Sequence, residues 1–250
     1  MFNVVEGQMM KLGLKKSPNI KYVNRLKVQS GFFPPDPKLI PRFCKTYEEG
    51  TAHVDILACY GTFMENYLMK KNAPKGAIYI GNRIIEPYYF AEPCSKELKG
   101  KRVLVIHPYE ETIVEQYKKH DKLFANKDVL PDFELHVLKA VQTVGTQHDD
   151  RFKDWFEALD YMYREAMKID FDIAIIGCGS YGMPLAARLR AANKTAIHIG
   201  GATQILFGIK GERWDRYSPY ISGLYNEYWS RPSKSETPLG HKEVEGNSYW

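Results

Sequence analysis

The chain has 250 residues, 44% of them hydrophobic and 26% charged, ordinary globular values that exclude a globally disordered chain. That length suits one large domain or two small ones. The net charge of +5 is compatible with an anionic small-molecule partner; with no stripe dense in lysine and arginine and no recognised nucleic-acid motif, it argues against nucleic acid.

The spacing allows a short helix over residues 2–14, while residues 21–29 are polar with spaced apolar positions. Three prolines and a glycine in residues 31–37 (GFFPPDP) predict irregular backbone there. Residues 39–49 read as a helix and residues 54–60 (VDILACY) as a buried strand. A helix over 62–70 and a short strand over 77–81 follow. Residues 101–107 (KRVLVIH) form a strand, and the proline and acidic residues after it open a helix over 110–124. Another strand covers 134–140, and an amphipathic helix covers 151–169. A strand over 171–176, a helix over 181–192 and a strand over 195–199 complete the alternation.

Strands alternating with helices predict a Rossmann-like α/β fold, with a largely parallel sheet and helices on both faces. We expect a single domain over residues 1–213, with its nucleotide-binding part at about 101–213. The aromatic, proline-containing residues 214–250 should form an ordered extension wrapping that domain, because their rings need burial. The four cysteines show no Cys-x-x-Cys pair and no zinc spacing, which fits free thiols in a reducing compartment. No secretory leader is visible and no apolar run approaches the ~20 residues of a membrane span. A cytoplasmic protein without a membrane span is therefore expected.

The chemistry-bearing motif is Gly177-Cys-Gly-Ser-Tyr-Gly182. It follows an apolar strand and opens a helix, the context in which such a turn brings backbone N–H groups to a phosphate. Gly177, Gly179, Ser180, Tyr181 and Gly182 are thus candidate binding residues. Gly200, Gly201 and Gln204 follow the next strand, and Gly61 follows an earlier one. Ligands of open α/β sheets bind at such carboxyl ends. His107, Glu110 and Glu111 occupy the same kind of position, and Glu65 lies just past Gly61. These four are candidate proton acceptors; the two adjacent glutamates also fit as charges at a helix N-terminus. The strand ending at Ile199 carries no Asp or Glu at its tip for a ribose hydroxyl, which weighs against a dinucleotide.

Residues 172–189 (DIAIIGCGSYGMPLAARL) and 196–201 (AIHIGG) resemble the C-terminal part of GT-D-type glycosyltransferases, and residues 103–113 (VLVIHPYEETI) resemble that family's middle strand and loop. The stretches 226–232 and 244–250 are similar to the tails of relatives linked to polysaccharide synthesis. The resemblance implies transfer of a sugar from a nucleotide-sugar donor to a glycan or polysaccharide acceptor. The family's early Arg-x-Gly-Asp-Gly-Glu motif implies Mn²⁺ or Mg²⁺ as well. At the matching place, residues 59–65, Gly61 fits the first glycine, Cys59 replaces the arginine, Thr62 the aspartate and Phe63 the second glycine, and Glu65 falls one residue late. A non-catalytic nucleotide-binding or scaffold protein on a degenerate transferase fold remains an alternative, as does an NAD-dependent oxidoreductase. The aromatic tail also leaves room for a homo-oligomer.

Overall fold

The computed structural model describes residues 19–62 and 65–250; the helix expected over residues 2–14 lies outside them. Helix α1, Ile20–Ser30, starts where the Asn19 side chain accepts the Lys21 N–H at 2.9 Å. It stops at Gly31, whose φ of 75° supplies the left-handed cap that favours glycine. The irregular segment that follows is an anchor: Phe32 and Phe33 are buried, and the Phe33 carbonyl accepts the Trp155 N–H at 2.7 Å. Helix α2 spans Ile40–Thr51, strand β1 Ile56–Cys59, helix α3 Glu65–Asn72 and strand β2 Ile78–Gly81.

The central part contains β3 (Arg102–His107), α4 (Glu110–Tyr117), α5 (His120–Leu123), β4 (Glu134–Lys139), α6 (Trp155–Met167), β5 (Ile173–Ile176), α7 (Gly182–Ala191) and β6 (Thr195–His198). Short helices α8 (Ala202–Leu206), α9 (Glu212–Tyr217) and α10 (Pro219–Ser222) follow. The single helix expected over 110–124 is two pieces, broken at Lys118 and Lys119. Tyr117 turns the chain there, stacking on both Phe133 and His120 while its hydroxyl accepts the Phe133 N–H at 2.6 Å. Helix α6 begins later than its apolar spacing suggests, because the Asp154 side chain caps it by accepting the Glu157 N–H.

Among the described residues the strands form two parallel sheets, one ordered β4-β3-β5-β6 and one pairing β1 with β2. The period of two along each strand splits the core of the larger sheet. Leu104, Ile106, Ala174 and Ile176 face Trp155, Phe156, Leu159 and Met162 of α6 and Leu185 and Leu189 of α7. Val103, Val105 and Ile175 face Ile113 of α4, Leu206 and Phe207, together with Trp214 and Trp229 from the C-terminal region. Each such aliphatic side chain, fully buried, stabilises the fold by about 1.5–3 kcal/mol. Strand β1 departs from the buried strand expected over 54–60. Its residues are half-buried at best, and Ile56 is 56% exposed. A short apolar run does not distinguish a strand covered on both faces from one in a two-stranded ribbon. Of the free thiols, Cys178 is buried, Cys59 half-buried, and Cys44 and Cys94 exposed.

Candidate functional site

The chain leaves β3 for β4 on one side and then crosses to β5 and β6 on the other. The carboxyl ends of β3 and β5 therefore flank the point where strand order reverses, the usual ligand crevice of an open parallel sheet. Three of the expected loops meet there. Gly177 donates its N–H to the Ile106 carbonyl at 2.9 Å. A Cβ on Gly177 would come within 2.6 Å of both His107 Cδ2 and Thr203 Oγ1, and within 2.8 Å of the Gly200 carbonyl. Only glycine lets these loops approach so closely.

The glycine-rich turn is held from within the protein. Gly179 has a φ of 57°. The Ser180 hydroxyl donates to the Ser30 carbonyl at 2.6 Å and accepts the Trp155 indole N–H at 3.0 Å. The Tyr47 hydroxyl donates to the Ser180 carbonyl at 2.6 Å. Tyr181 stacks on Trp155 with centroids 5.0 Å apart, and its hydroxyl shares a hydrogen bond with Thr143. Both Ser180 and Tyr181 are thus committed to shaping the turn. The turn leads into α7, whose first N–H, that of Gly182, donates to the Gly179 carbonyl. Arg188, on the same helix, turns away to pair with Asp160 of α6.

Two histidines end strands here in opposite tautomers. His107 Nδ1 accepts the Tyr109 N–H at 3.1 Å, so its proton sits on Nε2. Burial pushes its pKa down to about 3. His198 does the reverse: its Nδ1 lies 3.1 Å from the Ile176 carbonyl, which only accepts, so Nδ1 carries the proton. Burial lowers the pKa of His198, while the bond to Ile176 opposes that shift. Its ring packs against Gly182, where any Cβ would collide with it. The Thr203 hydroxyl is buried with no hydrogen-bond partner among the described residues.

Of the expected acidic residues, Glu65 is engaged with backbone. Glu65 folds onto its own loop and accepts the N–H groups of Tyr60, Gly61 and Thr62 at 2.9, 2.6 and 3.1 Å. Gly61 itself, at a φ of 71°, borders open space. Glu110 and Glu111 form the first turn of α4. The anion on that helix end comes from elsewhere. Buried Glu236 accepts the Glu111 N–H at 2.8 Å, the Thr112 N–H at 3.3 Å and the Thr112 hydroxyl. Glu111 accepts the Ser235 hydroxyl at 2.8 Å.

The C-terminal segment lies over the crevice. Gln204 is buried, and its amide nitrogen donates to the carbonyls of Lys210 and Tyr249, both at 2.8 Å. A Cβ on Gly201 would lie 3.0 Å from the Tyr249 ring. Burial, then Glu245, raise the Tyr249 phenol, Arg213 opposes them, and Tyr60 adds a small upward push. Tyr249 thus packs on the loop after β6. Arg213, with half its side chain exposed, reaches Glu245 and the Tyr249 hydroxyl at 3.5 and 3.4 Å. A groove of about 380 Å³ lies elsewhere, along α1, lined by Tyr22, Arg25, Gln29 and Glu245.

The donor set does not fit a divalent cation. Among the described residues no three His, Cys, Asp or Glu side chains gather around one point. In the loop after β1, Glu65 is the acidic side chain among the described residues and its oxygens are taken by three N–H groups. Sequence reasoning missed His198, Thr203, Arg213 and Glu236. A histidine one residue before Ile-Gly-Gly, at a strand end, was the visible signal for the first; nothing local marks Glu236, which acts across 125 residues. No described helix is long and apolar enough to cross a membrane. No protein-family model, curated protein or solved structure matches the chain.

Proposed function

We propose that the protein is a glycosyltransferase on a Rossmann-like sheet, taking a sugar from a nucleoside-diphosphate sugar and passing it to a glycan or polysaccharide acceptor. The observation that supports this best is the meeting of glycine-bearing loops from three strand ends, with Gly177 against His107, Thr203 and Gly200. Loops so placed gather three strand ends at the edge of the sheet where a diphosphate would be met. The positive end of the α7 dipole and the half-exposed guanidinium of Arg213 would meet the charge that develops on the departing diphosphate. No step is assigned to a metal, because the side chains present do not fit one.

A second reading, binding without turnover, is favoured by a different observation: the N–H groups after β1 and at the start of α4 already hold Glu65 and Glu236. Melting curves against UDP, GDP, CDP, ADP, their sugars and NAD, each with and without Mn²⁺ or Mg²⁺, test the proposal. A ligand bound only by the folded state adds about 2.7 kcal/mol of stability at a hundredfold excess over its Kd. A shift with one nucleotide sugar, followed by release of its nucleoside diphosphate, supports the transferase. A shift without release supports the binding module, and a shift with NAD alone overturns both.

A further inference from the structure

His198 stands apart from the other proton acceptors near the crevice. Its Nδ1 proton is spent on the Ile176 carbonyl at 3.1 Å. That bond fixes the tautomer and aims the ring, as the third group of a catalytic constellation does. Nε2 is left with a lone pair and has no hydrogen-bond partner among the described residues. Gly182 packs on the Nδ1–Cε1 edge of the ring, while a Cβ on Gly200 would only just touch Cε1, at 3.9 Å. His198 is half-buried rather than sealed.

Three of the four acceptors expected from the sequence are less free. His107 is 4% exposed and spends its Nδ1 lone pair on Tyr109. Glu65 accepts three backbone N–H groups, and Glu111 accepts a serine hydroxyl. Burial lowers the pKa of His198, with the bond to Ile176 opposing it.

We propose that His198 is the general base of the transfer, with the Ile176 carbonyl as its orienting group; this rests on the transferase reading. The acceptor O–H bond breaks and its proton passes to Nε2. The acceptor oxygen bonds to the anomeric carbon, and the bond from that carbon to the diphosphate breaks, its electron pair leaving with the nucleoside diphosphate. One such displacement inverts the anomeric configuration. Water can stand in for the sugar acceptor, in which case the same proton transfer yields hydrolysis.

The test uses the full chain and the nucleotide sugar that shifts its melting temperature, with release of nucleoside diphosphate as the readout. His198→Asn keeps a side-chain N–H for the Ile176 carbonyl but supplies no base. The expected result is a fall in kcat of about 10²–10⁴-fold with Kd for the nucleoside diphosphate within about threefold of the native value. A purely structural role would move Kd and melting temperature instead. His198→Ala, which opens the space of the ring, should regain turnover when free imidazole is added, and this second variant serves if His198→Asn fails to fold. Native turnover retained in His198→Asn, or no response of His198→Ala to imidazole, overturns the assignment and leaves the transferase intact. A native protein that releases no nucleoside diphosphate overturns the transferase and the base together.

Discussion

Acid should destabilise this protein well above the range where carboxylates titrate, and His107 is the main reason. An ordinary histidine titrates near 6.5, whereas folded His107 is pushed down to about 3 by burial. As pH falls below 6.5 the unfolded chain takes up a proton that the folded one refuses, so stability is lost from there until the folded pKa is reached. Between about pH 7.5 and about pH 5 one such group removes about 2 kcal/mol, and His198, shifted in the same direction, adds to the loss. Urea denaturation at stepped pH reads this directly. His107→Asn retains an acceptor for the Tyr109 N–H. The variant loses packing, but that cost is constant in pH. Its stability curve should therefore be flatter than the native one by up to about 1.4 kcal/mol per pH unit below pH 6.5. Parallel curves for the two proteins across that window would refute the account of His107 as a buried neutral ring.

Three further outcomes follow from the contacts described. Glu236→Gln, measured by urea midpoint, should lower stability by about 1–3 kcal/mol, because a charge is lost from the start of α4 and an N–H acceptor is replaced by a donor. Gly177→Ala should lower the melting temperature, at a cost of about 1–3 kcal/mol, since its methyl would press on His107, Thr203 and a backbone carbonyl that has little room to move. In thiol labelling of the folded protein, exposed Cys94 should react at once. Cys178, sealed in the glycine-rich turn with its pKa raised by burial, should react only as the protein unfolds.

Much of the central sheet was legible because its signals are local. The run VLVI of β3, the apolar stripe of α6 and the glycines after β5 each announce their element within a few residues. The places where reading failed are governed by distant contacts. Residues 21–29 read only as polar with spaced apolar positions, yet they lie within a capped helix whose last carbonyl receives the Ser180 hydroxyl from 150 residues away. The motif at 177–182 was visible, but not that Ser180 and Tyr181 would be spent on Ser30, Trp155 and Thr143. Gln204, expected in the loop after a strand, lies within α8, and its carboxamide anchors Tyr249. Side-chain commitments of this kind depend on which segments pack together, and residue spacing does not carry that information.

The two sheets differ in how firmly they are held. Strand β3 is paired along both edges, and Val103, Leu104, Val105 and Ile106 are sealed. Strands β1 and β2 leave Ile56, Ile78 and Tyr79 in contact with water. Amide exchange should therefore rank the molecule in two tiers, with β3 amides opening only in global unfolding and those of β1 and β2 in cheaper local excursions. The grip of Glu65 on the N–H groups of Tyr60, Gly61 and Thr62 therefore lies outside the part of the fold that only global unfolding opens.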